Sequence, residues 1–342
     1  MSRPAQGLRF HGDTMAGPGQ LDFAVNVVPG GPPGWLLEAL RDGLSRAAAY
    51  PDERPATAAV AARHGRPPDE VVLLNGSAEA FWLLAQVLRP ELTVIVAPSF
   101  TEPEAALQAT GHRVQRVWRD PDHFHLDPAA VPAQADLVVT GNPNNPTGTL
   151  DPAATLVGLA RPGRVLVVDE AFMEFTAGEA ETLAGRRDLS GLVVVRSLTK
   201  LWGLAGIRVG YLLAPPQTAS LLRAARQPWS VNSLACVALA AWVDQGADHA
   251  GHRVRRLAAI REQVAAALAA LPGVRVWPSA ANFLLLQVAD GPAVLAGLAA
   301  RGIAVRPCHS FPGLTSNHLR VAVRDPADNQ RLVDALAETL HP

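Results

Sequence analysis

Short runs of Val, Leu and Ile recur along the first two thirds of the chain, separated by stretches long enough for a helix. Val71-Val72-Leu73-Leu74, Thr93-Val94-Ile95-Val96, Leu137-Val138-Val139, Val165-Leu166-Val167-Val168 and Leu192-Val193-Val194-Val195 are continuously apolar rather than alternating. A strand that is apolar at every position has both faces covered, so the pattern predicts a buried, mostly parallel sheet with helices on both sides. From about Pro228 the pattern lengthens into Ala- and Arg-rich sequence that predicts a helix over about 235–271. A strand pair at 274–277 and 283–288 follows, then a helix, a strand at 319–323 and a terminal helix near 327–340. The first thirty residues, punctuated by His11-Gly12 and Pro29-Gly30-Gly31-Pro32-Pro33, read as an extended arm. The expected organisation is an arm at 1–34, a large α/β domain at 35–230 and a smaller α+β domain at 231–342.

Composition narrows the class. With 49% hydrophobic and 18% charged residues over 342 positions, the chain has enough apolar sequence for two packed domains. A formal net charge of −1 gives no electrostatic case for nucleic acid or an anionic membrane, so any anion binding must be local. Cys236 and Cys308 are the only cysteines. They read as reduced core thiols, without a disulfide framework or a multi-cysteine metal site. Residues 1–10 lack the apolar core of a secretory signal and no run of about 18 apolar residues is present, so a cytoplasmic protein is expected.

In parallel sheets ligands gather at the carboxyl ends of the strands, which makes the residues after each apolar run the informative ones. Asn75-Gly76-Ser77-Ala78 is a small-residue turn opening a helix, read either as a plain connection or as a phosphate cradle of free N–H groups. Ala97-Pro98-Ser99-Phe100 presents an aromatic ring, a core plug or a stacking platform. Gly141-Asn142-Pro143-Asn144-Asn145-Pro146-Thr147-Gly148 is fixed by its prolines and glycines, so its amides are held in place. Asp169 ends a buried apolar strand, where a carboxylate needs a partner: an internal cation, a helix N-terminus or a bound pyridinium.

Lys200 ends the fifth run, in Ser197-Leu198-Thr199-Lys200-Leu201-Trp202-Gly203. An amine set among apolar neighbours loses affinity for its proton and can condense with a carbonyl. Ser197 and Thr199 on one side and Arg208 on the other suit a phosphate. An aldehyde and a phosphate together describe pyridoxal 5'-phosphate. Other clusters read blandly: His123-Phe124-His125 near Asp120 and Asp122 as a solvated turn rather than a metal site, and Arg253-Val254-Arg255-Arg256 as an exposed helix face.

The asparagine-proline loop, the Asp169-Glu170-Ala171-Phe172 strand end and the Ser197-to-Arg208 segment resemble the fold-type I pyridoxal-phosphate enzymes of the class I/II aminotransferase superfamily, over nearly the whole chain from about Phe10. The resemblance implies the three-layer fold of that superfamily. It further implies that Lys200 carries the cofactor aldehyde, Asp169 pairs with the ring nitrogen, Asn145 contacts the phenolic oxygen and Phe100 stacks on the ring. Ser77, Ala78, Ser197, Thr199 and Arg208 would hold the phosphate, with Tyr50 reaching it from the second subunit of a homodimer with shared sites. Arg320 matches the arginine that clamps a substrate carboxylate.

Within the superfamily the sequence is similar to threonine-phosphate decarboxylases of cobalamin biosynthesis and to histidinol-phosphate aminotransferases. Three features favour the decarboxylases: the His11-Gly12 opening with Asn26, the loop that begins at Arg306, and Phe172 where most aminotransferases place a tyrosine. By that likeness His11, Gly12, Asn26, Asn145, Arg306 and Arg320 would meet the substrate. Asp13 and Pro307 depart from the decarboxylase pattern. The expected activity is decarboxylation of L-threonine O-phosphate, the alternative transamination of a phosphorylated amine such as histidinol phosphate with 2-oxoglutarate. A cofactor-binding regulatory module lacks a DNA-binding extension here, and a nicotinamide dehydrogenase lacks its Gly-x-Gly-x-x-Gly turn.

Overall fold

The structure, a computed structural model, describes residues 6–340; residues 1–5 of the expected arm lie outside the described residues. Its strands, in chain order, are β1 (Leu21–Asp22), β2 (Val71–Asn75), β3 (Thr93–Ala97), β4 (Val114–Trp118), β5 (Leu137–Gly141), β6 (Val165–Asp169), β7 (Leu192–Ser197), β8 (Val209–Leu213), β9 (Arg275–Val276), β10 (Phe283–Gln287), β11 (Ile303–Ala304), β12 (Arg306–Pro307) and β13 (His318–Ala322). Seven of them form the central sheet in the order β2-β8-β7-β6-β5-β3-β4. The parallel pairs join β4, β3, β5, β6 and β7, whereas β8 runs antiparallel to both β7 and β2. Because only β8 is reversed, the carboxyl ends of β2, β3, β5, β6 and β7 all open on one edge, and β8 begins there.

The continuous apolar runs are explained by two separate cores. Leu73, Val94, Val96, Val138, Val168 and Val194 pack into one, and their sequence neighbours Val72, Leu74, Ile95, Val139, Val167, Val193 and Val195 into the other. Alternate side chains of each strand therefore serve opposite faces, both covered by helices. Two strands of the central sheet lie outside the sequence expectation. In β4, at the sheet edge, Val117 is buried between exposed Arg116 and Trp118, so that strand alternates and has no apolar run. β8 follows β7 after residues 198–208, which hold one short 3-10 turn, Ala205–Ile207. A connection without a crossover helix fits an antiparallel neighbour, which is the pairing found.

Helix Ser233–Ala269 runs for 37 residues, capped where Asn232 accepts the Ala235 N–H at 2.9 Å. Its first half, through Ala235, Ala238, Leu239 and Trp242, joins the main core, while Val264 and Leu268 pack against the second sheet, β12-β13-β10-β9. One helix thus spans from the large sheet to the small one. The arm does not stay free: β1 pairs in parallel with β11, and Phe23 is buried in the core of the small sheet.

Behind the site edge, Arg196 is buried and pairs with Glu170 at 3.0 Å and Glu179 at 2.5 Å. Replacing it with alanine leaves Glu170 buried without its cation, so Arg196→Ala is expected to lose about 3–5 kcal/mol of stability, read as a shift in the denaturation midpoint.

Candidate active site

The strand ends meet the arm and the small sheet around a cleft of about 610 Å³. Fourteen of the sequence candidates line it: His11, Gly12, Asn26, Ser77, Ala78, Phe100, Asn145, Asp169, Phe172, Thr199, Lys200, Arg208, Arg306 and Arg320. Ser197 stands one layer back, its Oγ 2.7 Å from Thr199 Oγ1. Tyr50 is elsewhere, 75% exposed and stacked on the likewise exposed Trp229 with ring centroids 4.4 Å apart.

Lys200 lies on the cleft wall in a setting that lowers its pKa to about 8. Burial is the main cause, reinforced by the charges of Arg320 and Arg208 and opposed by Asp169 and Asp13. A substantial neutral fraction near pH 8 makes it a nucleophile toward a carbonyl. Asp169 moves the other way: burial raises its pKa to about 6, against the Ala171 N–H that donates to Oδ1 at 3.1 Å and the nearby Lys200. Its Oδ2 has no hydrogen-bond partner among the described residues. The carboxylate is therefore held ready for a cation or an N–H donor that the protein does not itself supply.

The phosphate end is built by a close approach. Gly76 has φ +86°, and a Cβ placed there would lie 2.3 Å from Nη2 of Arg208, so the guanidinium lies directly against the turn. Gly210 allows the same closeness, its Cβ position being 2.5 Å from the Ser77 N. Ser77 and Ala78 open helix Ala78–Val87 with no side-chain cap, leaving N–H groups for an anion. Gly76→Ala is expected to push Arg208 aside and weaken binding of a phosphorylated cofactor about 10- to 100-fold, the worth of one charge-assisted bond, measured by cofactor titration.

The opposite wall comes from the small sheet. Arg306 and Arg320 are register partners across β12 and β13, so their side chains leave the same face. Both are buried. Arg320 donates to Asn145 Oδ1 at 2.5 Å and to the Ala24 carbonyl at 2.9 Å, while its Nε is buried without a partner. Gly12 backs onto that same carbonyl, its Cβ position 2.6 Å from Ala24 O, so a larger residue would lift the arm off. Arg306 lies between the rings of Phe10 at 4.3 Å and Phe311 at 5.0 Å and donates to Phe10 O, Pro307 O and Ser310 Oγ. Asn26 is buried with an unpartnered Oδ1. Arg320 Nε and Asn26 Oδ1 are thus buried polar atoms on cleft residues with no protein partner among the described residues.

Phe172 is buried at the cleft wall and packs edge-on against Phe283 at 5.1 Å, with no hydroxyl to offer. Glu102 and Phe311 also line the cleft without having been singled out from the sequence. Glu102 stands two residues beyond Phe100, so extending the strand-end rule by one turn reaches it. Among the described residues no group of three metal-ligating side chains is present, and no helix is long and apolar enough to cross a membrane.

These residues fit pyridoxal 5'-phosphate, with an amine for its aldehyde, an unpaired carboxylate for its ring nitrogen and a cation with helix N–H groups for its phosphate. Known proteins with the same construction exist. The family model described as aminotransferase class I and II matches residues 18–336. A histidinol-phosphate aminotransferase of Mycobacterium tuberculosis is 44% identical over 98% of this chain and 92% of its own. The threonine-phosphate decarboxylase of Salmonella typhimurium is 34% identical over 94% and 91%. Among solved structures, the histidinol-phosphate aminotransferase of Clostridium acetobutylicum superposes with a TM-score of 0.87 at 25% identity, over 92% of this chain and 98% of that one.

Proposed function

The chain belongs to the class I and II aminotransferase family, a family of pyridoxal 5'-phosphate enzymes, and from that premise we propose that it acts on a small amino acid bearing a phosphate ester, with decarboxylation of L-threonine O-phosphate as the reaction. One observation carries this reading. Arg306 and Arg320 are cross-strand neighbours on one buried face, so the cleft presents two guanidinium groups side by side. Such a pair suits a short substrate carrying two anions, a carboxylate at Arg320 and a phosphate at Arg306, with His11 and Asn26 beside it. Threonine O-phosphate has both anions within a few bonds, whereas histidinol phosphate has no carboxylate.

In this reading Lys200 and Asp169 serve the cofactor, which when bound supplies an electron sink for a bond broken at the substrate's Cα. Asp169 keeps the ring nitrogen protonated and Ser77, Ala78, Ser197, Thr199 and Arg208 hold the phosphate. Arg320, steadied by Asn145 and the Ala24 carbonyl, would hold and orient the substrate carboxylate. Lys200 Nζ returns a proton to Cα once carbon dioxide has left.

A second reading, transamination of a phosphorylated amine such as histidinol phosphate with 2-oxoglutarate, is backed better by whole-chain similarity, since the mycobacterial relative at 44% carries that name and the decarboxylase stands at 34%. The same two arginines would then receive the two carboxylates of the oxo acid. Product analysis decides between them. Carbon dioxide and aminopropanol phosphate released from threonine O-phosphate without any oxo acid are the expected result. Turnover of histidinol phosphate that depends strictly on 2-oxoglutarate overturns it.

A cytoplasmic homodimer belongs to the same proposal. Its support is the exposed Tyr50–Trp229 stack, an aromatic surface that a second copy would cover while bringing Tyr50 to the neighbouring cofactor phosphate. A fully active monomer by sedimentation argues against it.

A further inference from the structure

We propose that Glu102 is a positioning residue for His11, fixing the imidazole so that Nδ1 is the nitrogen offered to the phosphoryl group of the substrate. The inference rests on the reading that the substrate is a phosphate ester. Glu102 opens helix Glu102–Ala109 and is only 7% exposed. Its Oε1 is 2.7 Å from His11 Nε2, and its Oε2 accepts the Trp82 Nε1–H at 3.0 Å. The bond with His11 is the foremost influence on the Glu102 carboxyl and holds it below its ordinary range; the Trp82 bond and Arg9 act in the same direction against the cost of burial. Glu102 is thus a carboxylate, able only to accept, and Nε2 must be the donor.

With Nε2–H fixed, Nδ1 is the remaining ring nitrogen, and it has no protein partner among the described residues. His11 itself lines the cleft, 6.1 Å from the Phe100 ring, and the next residue, Gly12, lies against the Arg306 side chain. A phosphate monoester loses its second proton near pH 6, so one proton is readily shared between its oxygen and an imidazole. Either location gives a good bond: an imidazolium N–H to a dianion, or a monoanion's O–H to a neutral Nδ1. Asp13, Glu102 and Arg306 line the cleft beside His11, and Arg9 of the same segment lies over the Trp82 ring.

The pair is more than an anchor for the arm. That segment is already held where Thr101 Oγ1 donates to the Leu8 carbonyl at 2.6 Å, where Arg9 lies 5.1 Å over the Trp82 ring and where Arg306 donates to the Phe10 carbonyl at 2.5 Å. Both Glu102 oxygens are engaged, one by His11 and one by Trp82, so the carboxylate is fixed in place beside the cleft. Fixing one tautomer explains its presence where holding the chain does not.

The test uses holoenzyme with Glu102→Gln, Glu102→Ala, His11→Ala and the His11→Ala/Glu102→Ala double variant. Each is assayed on the phosphorylated substrate that wild type turns over and on its dephosphorylated counterpart. Glu102→Ala is expected to raise KM for the phosphorylated substrate about 10-fold, with kcat changed less than about 2-fold and with Glu102→Gln between it and wild type. The preference for the phosphorylated substrate falls by the same factor, and on the His11→Ala background the loss disappears. Long-range proton–nitrogen spectra are expected to show the Nε2–H tautomer of His11 in wild type and a mixture in Glu102→Ala. Equal losses on both substrates, losses that add to His11→Ala, or an Nδ1–H tautomer in wild type overturn the inference. A wild type indifferent to the phosphate overturns the substrate reading and this inference together. A wild type that prefers the phosphate while Glu102→Ala keeps that preference overturns this inference alone.

Discussion

Lys200→Ala is expected to leave a folded protein that binds pyridoxal 5'-phosphate reversibly and has lost about 10⁴-fold or more in turnover. On the proposed function the loss has two sources, since the variant has neither the amine that would capture the aldehyde nor the positioned group that would move a proton at Cα. The proposed phosphate donors keep their own side chains: Ser77, Ala78 and Arg208 lie on other segments, and Ser197 and Thr199 precede Lys200 on its own. Dialysis should therefore strip the cofactor from Lys200→Ala and not from wild type. Wild-type capture of the cofactor should quicken as pH rises through about 8, where the amine loses its proton, and level off above it. Stability carries a matching sign. The folded pKa is depressed below the unfolded value, so the unfolded chain binds more protons between about pH 8 and 10.5, and wild type gains stability as pH rises through that window. Lys200→Ala lacks that gain. A variant with a tenth of wild-type activity, or one that keeps its cofactor through dialysis, would sink the assignment.

The legibility of this chain was uneven, and the reasons are physical. Strands buried on both faces must be apolar at nearly every position, which is why β2, β3, β5, β6 and β7 are readable from the run of apolar residues alone. Edge strand β4 faces solvent and has no apolar run, whereas the apolar run of β8 follows directly on a glycine-rich loop that hides where the strand begins. The site was legible to the extent that it lies at strand ends. Asp169, Lys200 and Asn145 follow directly from where the apolar runs stop. The juxtaposition of Arg306 and Arg320 was not, because it depends on the register between β12 and β13, and the pairing of β1 with β11 depends on a contact across most of the chain. Glu102 was missed for a different reason: an acidic residue in a helix's first turn is ordinarily explained by the helix dipole, and only its 2.7 Å approach to His11 shows otherwise.

Asp169→Asn is the second variant with a large expected effect, and pH separates its causes. The amide is nearly the same shape, so packing and the Ala171 N–H bond to Oδ1 are retained. What is lost is the negative charge that, in the proposed function, would keep the cofactor ring nitrogen protonated, and turnover should fall about 10²- to 10³-fold, the loss typical of removing one preorganised electrostatic contact. In the cofactor-free protein burial raises the Asp169 pKa to about 6 from an ordinary 3.8. The folded state then holds the proton more tightly than the unfolded chain. Its contribution to stability is fully present below about pH 4 and is lost as pH rises through about 6. Asp169→Asn has no proton to lose, so its cofactor-free stability should be flat over that window relative to wild type. Cofactor binding should behave in reverse, because an ionised Asp169 is the form that pairs with a ring cation. The advantage of wild type over Asp169→Asn in cofactor affinity should therefore grow as pH rises from about 4 through about 6. Parallel affinity curves for the two proteins across that range would place the ring nitrogen elsewhere than at Asp169. Divergent affinity with unchanged turnover would place it there and leave the charge without a catalytic part.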